Sequence, residues 1–128
     1  METTSKRVLV AEASDEMSWL ICKIIRSIGY ETVKLGTCEG PGADDPLEHT
    51  DYLVFDYFWF CNQATEVKHR VARIIKEDRA LLLSSLPVWA IQKDVDDYGF
   101  KNILEKPFDI SALIQRIEEE VRESRDAH

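Results

Sequence analysis

Five short β-prone runs punctuate the chain, with helical periodicity returning between them, and that rhythm leaves few folds open. The runs are Arg7-Val8-Leu9-Val10-Ala11, Tyr30 to Leu35, Asp51-Tyr52-Leu53-Val54-Phe55-Asp56, Ala80-Leu81-Leu82-Leu83 and Asn102-Ile103-Leu104-Glu105. The first, third and fourth are almost wholly apolar, which suits strands covered on both faces. Tyr30 to Leu35 alternates toward Val33 and Leu35 instead. After the first run, Met17, Leu20, Ile21, Ile24, Ile25 and Ile28 recur at the spacing of one helix face. Ser14 supplies an N-cap, Asp15 and Glu16 suit the positive end of the helix dipole, and Gly29 can close the helix at its C′ position. Ala64, Val67, Val71, Ile74 and Ile75 mark a further helix. A shorter one carries Val88, Ile91, Val95 and Tyr98 between Pro87 and Gly99. The last, capped by Asp109, carries Ile110, Leu113, Ile114, Ile117 and Val121. Gly36 to Thr50 breaks the rhythm with three glycines, Pro41, Pro46 and the Asp44-Asp45 pair, and reads mostly as loop with room for one helical turn. Strand alternating with helix predicts an α/β fold, a doubly wound five-stranded parallel sheet.

At 128 residues the chain has the length of one domain, and an apolar content of 45 % supplies one core. The expected extents are a domain over 1–124 and a frayed tail at 125–128. A net charge of -8 argues against unaided contact with nucleic acid or an anionic membrane, whose phosphates repel an acidic face. No run reaches the ~18–20 apolar residues of a membrane span. Met-Glu-Thr-Thr-Ser-Lys-Arg leads directly into a strand without a signal-peptide apolar segment, so a cytoplasmic protein is expected. Cys22, Cys38 and Cys61 are odd in number and lack Cys-x-x-Cys spacing, which predicts free thiols. Cys61 and His69 match no zinc spacing, and the glycines at 36, 40 and 42 lead to no Lys-Ser/Thr of a phosphate-binding loop.

Ligands of open parallel sheets bind beyond the carboxyl ends of the strands. Four polar residues stand at those ends: Glu12 after the first run, Asp56 at the end of the third, Ser84 after the fourth and Lys106 after the fifth. Two carboxylates, a hydroxyl and an ammonium are thereby expected on one rim. Phosphoryl transfer needs a carboxylate nucleophile held in line and positive charge to balance the equatorial oxygens, and this set contains both.

That quartet, with Lys106-Pro107-Phe108, Val8-Leu9-Val10-Ala11-Glu12 and Asp51 to Asp56, resembles the receiver domains of two-component response regulators from about Val8 to Val121. The resemblance implies a flavodoxin-like receiver fold, here with its second helix shortened or replaced by loop. It implies Asp56 as phosphoacceptor, fed by a histidine kinase or phosphotransfer protein, with Ser84 and Lys106 contacting the phosphoryl group. It also implies a cis peptide before Pro107, and magnesium held by Glu12, Asp56 and the backbone carbonyl of Phe58.

Several residues depart from that pattern. Ala13 stands where the family has its second acid, and a methyl group gives magnesium no oxygen, so weak or absent binding is expected. Phe60 and Ala64 occupy positions where the family often has Pro and Gly. Tyr57-Phe58-Trp59-Phe60 is a block of four aromatics, which would either shield Asp56 or form a contact patch. Ile103 replaces the usual aromatic switch residue. Two functions follow: a phosphorylatable receiver signalling through its last helix-strand-helix face, or a phosphorylation-independent pseudo-receiver serving as an interaction or dimerisation module. An enzyme is not expected, because Asp56-Tyr57-Phe58 lacks the second acid of the Asp-x-Asp phosphatases.

Overall fold

The computed structural model describes residues 6–35, 47 and 50–126, with residues 122–126 described by backbone alone. The strands form where expected: β1 (Arg7–Ala11), β2 (Glu31–Leu35), β3 (Tyr52–Asp56), β4 (Ala80–Ser84) and β5 (Ile103–Glu105). They make one parallel sheet in the order β2-β1-β3-β4-β5. All residues of β3 and β4 are buried, as their unbroken apolar runs require.

Side chains alternate between two covering layers because successive residues of a strand face opposite ways. Val8, Val10, Tyr52, Val54, Leu81 and Leu83 belong to one core with Ile21, Ile24 and Ile25 of α1 (Asp15–Ser27) and Leu113, Ile117 and Val121 of α5 (Ile110–Asp126). Leu9, Ala11, Leu53, Phe55 and Leu82 belong to the other. There they meet Trp59 and Phe60 of α2 (Tyr57–Cys61), Val71, Ile74 and Ile75 of α3 (Thr65–Lys76), and Phe100. Ile91 joins this second core from a 3-10 turn, Val88–Ile91, that precedes α4 (Gln92–Tyr98).

The punctuation residues act as their chemistry predicts. Ser14 Oγ accepts the Met17 amide at 3.3 Å and caps α1. Gly99 ends α4 at φ +77°, a left-handed conformation costly to any residue with a Cβ. Tyr52, at the base of β3, donates its hydroxyl to Glu120 and so ties the sheet to α5.

Other expectations need correction. Leu20 is exposed: the buried stripe of α1 runs through Ser18, Ile21, Cys22 and Ile25, and Leu20 lies more than a hundred degrees of helix rotation from its centre. Ile110 lies on the apolar stripe of α5 but in its first residue, and the buried positions begin only at Leu113. The aromatic block, expected to shield Asp56 or form a contact patch, divides between core and surface. It forms α2, with Trp59 and Phe60 buried and Phe58 at the surface. The segment read as loop, Gly36 to Thr50, lies outside the described residues except for Leu47 and Thr50, both buried.

Leu9→Ala, at a fully buried position of the central region, should lower the unfolding free energy by about 2–5 kcal/mol. Trp89→Ala, at a side chain 80 % exposed, should change it by no more than about 0.5 kcal/mol. Urea denaturation of the two variants beside the wild type checks both.

Candidate functional site

Strand order 2-1-3-4-5 places the topological switch point between β1 and β3, where the connections leave for opposite faces and a crevice opens. The chain delivers Glu12 from the end of β1 and Asp56 from the end of β3 into that crevice. Lys106 arrives from beyond β5, its amide donating to the Ser84 carbonyl at 2.7 Å. The Lys106-Pro107 peptide is cis, as the resemblance implies.

The three charged side chains meet. Lys106 Nζ lies 2.9 Å from Asp56 Oδ1 and 2.9 and 3.2 Å from the two oxygens of Glu12. Both carboxylates are 2 % exposed and the lysine 16 %. One ammonium thus serves two nearly dry carboxylates. Burial pushes the Glu12 carboxyl above the usual carboxylate range, and the Asp56 charge adds to the rise against the opposing pull of Lys106. Burial works against the Lys106 ammonium, but hydrogen bonds and charges from Asp56 and Glu12 together outweigh it and hold its pKa above the ordinary lysine value.

The remaining expected participants are near but engaged elsewhere. The Ser84 hydroxyl donates to the Leu86 carbonyl at 2.8 Å and accepts the Leu86 amide at 3.0 Å, closing a tight turn after β4. The Phe58 carbonyl accepts both the Asn62 amide at 3.3 Å and the Asn62 side-chain Nδ2 at 2.9 Å. Asp56 Oδ2 accepts the Trp59 amide at 3.0 Å and caps α2.

These residues are a poor donor set for magnesium. The ion takes six oxygens in octahedral array. Here Ala13 offers none, the Phe58 oxygen serves Asn62, and a lysine ammonium already lies against Asp56 and Glu12. Among the described residues no group of three or more His, Cys, Asp or Glu side chains is arranged to hold a metal.

Two features escaped sequence reading. Asp56 caps α2, a role its residue type and its place before a helix-length block would have signalled. The Tyr57 hydroxyl donates to Asp94 of α4 at 2.5 Å, and nothing in the sequence pairs those positions. Burial and the Asp94 hydrogen bond both push the Tyr57 phenol upward.

A doubly wound sheet with an acid-lysine cluster at its switch point defines a class of fold, and comparison with solved structures narrows it to the CheY-like receiver fold. A CheY-like response regulator receiver domain protein from Methanospirillum hungatei superposes with a TM-score of 0.75 at 15 % identity, covering 98 % of this chain and all of that one. An orphan response regulator of H. pylori gives 0.62 at 21 % identity over 92 % of this chain and 98 % of that one. Chemotaxis protein CheY4 of Vibrio cholerae gives 0.63 at 15 % identity over 91 % and 98 %. No protein-family model and no curated protein sequence matches the chain. Among the described residues no helix is long and apolar enough to cross a membrane.

Removing the shared cation should be costly. Lys106→Met leaves two buried carboxylates facing each other and should destabilise by about 3–5 kcal/mol near neutral pH, measured by denaturation. The raised pKa of Glu12 sets a second expectation. Its folded form holds a proton more tightly than the unfolded chain does, so its stabilising share is complete below the ordinary value of 4.5 and is lost as pH rises through its folded pKa. Glu12→Gln should therefore gain stability relative to the wild type as pH rises from about 4 to 7. A constant difference across that interval would contradict it.

Proposed function

We propose that the chain is a response-regulator receiver module of two-component signalling that changes state through protein contacts, without magnesium-assisted phosphoryl transfer to Asp56. One observation carries the proposal: the site is satisfied from within. Lys106 holds Glu12 and Asp56 together, while the donors that would complete a metal shell are missing at Ala13 or turned to Asn62 at Phe58. The receiver fold supports the signalling part of the reading. On this reading the domain acts by contact and not by turnover. Its input partner is a histidine kinase or phosphotransfer protein of that system. Its output is a second copy or an effector domain met by the face of α4, β5 and α5. The acidic balance of the chain disfavours nucleic acid or membrane as direct partners.

A second reading keeps Asp56 as a working phosphoacceptor. It draws on Lys106 Nζ, 2.9 Å from Asp56 Oδ1, a cation already placed to balance incoming phosphoryl oxygens. Incubating the chain with magnesium and acetyl phosphate, then measuring intact mass, decides between the two. The expected result is no gain on the native chain and one phosphoryl group on Ala13→Asp, lost again in Ala13→Asp/Asp56→Asn. A phosphoryl group on native Asp56 would overturn the first reading in favour of the second.

A further inference from the structure

Asp56 is held at both carboxylate oxygens, and the two contacts lead in different directions. Oδ1 meets Lys106 inside the site, whereas Oδ2 caps α2 through the Trp59 amide. A helix as short as Tyr57–Cys61 has too few internal hydrogen bonds to sustain itself, so it depends on its cap and on its packing.

That packing ties α2 to α4. The Tyr57 hydroxyl donates to Asp94 near the start of α4. The Phe60 ring lies 5.0 Å from Tyr98, the last residue of α4, and 5.2 Å from Phe100, both edge-on. Tyr57 also meets Phe100 edge-on at 6.5 Å. Edge-on aromatic pairs stabilise one another beyond the area they bury, and four rings share these contacts. α2 is therefore anchored to Asp56 at its beginning and to both ends of α4 along its length.

Toward β5, Asp56 meets the Lys106 ammonium, but no ring at Ile103 extends that contact. The Ile103 side chain has no ring or polar atom with which to follow the site, and the Ser84 hydroxyl is committed to Leu86 on both sides.

We propose that α2 is a lever that passes the state of Asp56 to α4. Any change that takes Oδ2 away from the Trp59 amide uncaps α2, and Tyr57 and Phe60 carry the loosening to Asp94 and Tyr98. The inference takes Asp56 as the input and goes beyond the reading above, because it holds whether or not that residue accepts a phosphoryl group.

Amide hydrogen exchange on the intact chain tests it without a phosphodonor, so its outcome is separate from that of the phosphorylation assay. Asp56→Ala removes the cap but leaves Glu12 and Lys106 paired. It should speed exchange about fivefold in Tyr57–Asn62 and in Gln92–Tyr98. Asp56→Asn keeps a capping oxygen and loses the charge, and should leave Gln92–Tyr98 at the wild-type rate. With Tyr57→Phe in place, the effect of Asp56→Ala should persist in α2 and shrink in α4. Faster exchange confined to α2 would overturn the proposal. So would an Asn variant that disturbs α4 as strongly as the Ala variant, because charge and not the cap would then be transmitted. An undiminished α4 response in the Tyr57→Phe background would also overturn it.

Discussion

The site is organised around a shortage of positive charge. Lys106 brings one ammonium to two buried carboxylates that arrive from different strands, and its contacts at 2.9 Å to each close the rim between β1, β3 and β5. Taking a carboxylate out of water costs several kcal/mol after relaxation, so neither Glu12 nor Asp56 would be tolerated there alone. The shortage persists after pairing. Burial and the neighbouring Asp56 charge still leave Glu12 with a raised pKa despite its contact with Lys106. The sheet order makes this convergence possible, because the switch point between β1 and β3 is where two strand ends share one crevice.

Much of this was legible in the sequence, for physical reasons. Strands buried on both faces have to be continuous apolar runs, so β1, β3 and β4 could be read directly and a polar residue at their ends stood out. Glu12 and Asp56 follow from that placement, whereas Lys106 comes from beyond the short, partly buried β5 and was marked by the Lys106-Pro107-Phe108 sequence. What periodicity could not supply is where backbone and side-chain oxygens point at the turns. The Ser84 hydroxyl, the Phe58 carbonyl and Asp56 Oδ2 each find a partner within four residues, and such local hydrogen bonds depend on turn geometry that composition does not encode. Leu20 shows the same limit on a helix: an i, i+3, i+4 series can take in a residue that lies off the covered face, and only the contact itself decides which are buried.

α2 alters what the aromatic block means. As a loop, Tyr57-Phe58-Trp59-Phe60 would be a lid or a sticky patch; as a capped turn of helix, it separates inward and outward positions. Trp59 and Phe60 enter the core, Phe58 remains at the surface, and Tyr57 is aimed at Asp94. The side chain that would receive a signal and the helix that would relay it are then adjacent in sequence, joined by the cap.

Ala13, next to Glu12 in sequence, adds no charge to this arrangement. With alanine there, the crevice holds two carboxylates against one ammonium. A third carboxylate in that crevice would deepen the shortage, because like charges at close range raise one another's pKa or demand a second cation. A divalent ion is the usual remedy for such crowding, because it offsets two charges at once and supplies fixed geometry. With two acids sharing one lysine, Asp56 Oδ2 accepts the Trp59 amide. The shared lysine and the capped helix are two aspects of one electrostatic arrangement, in which Asp56 meets an ammonium through one oxygen and holds a structural element through the other.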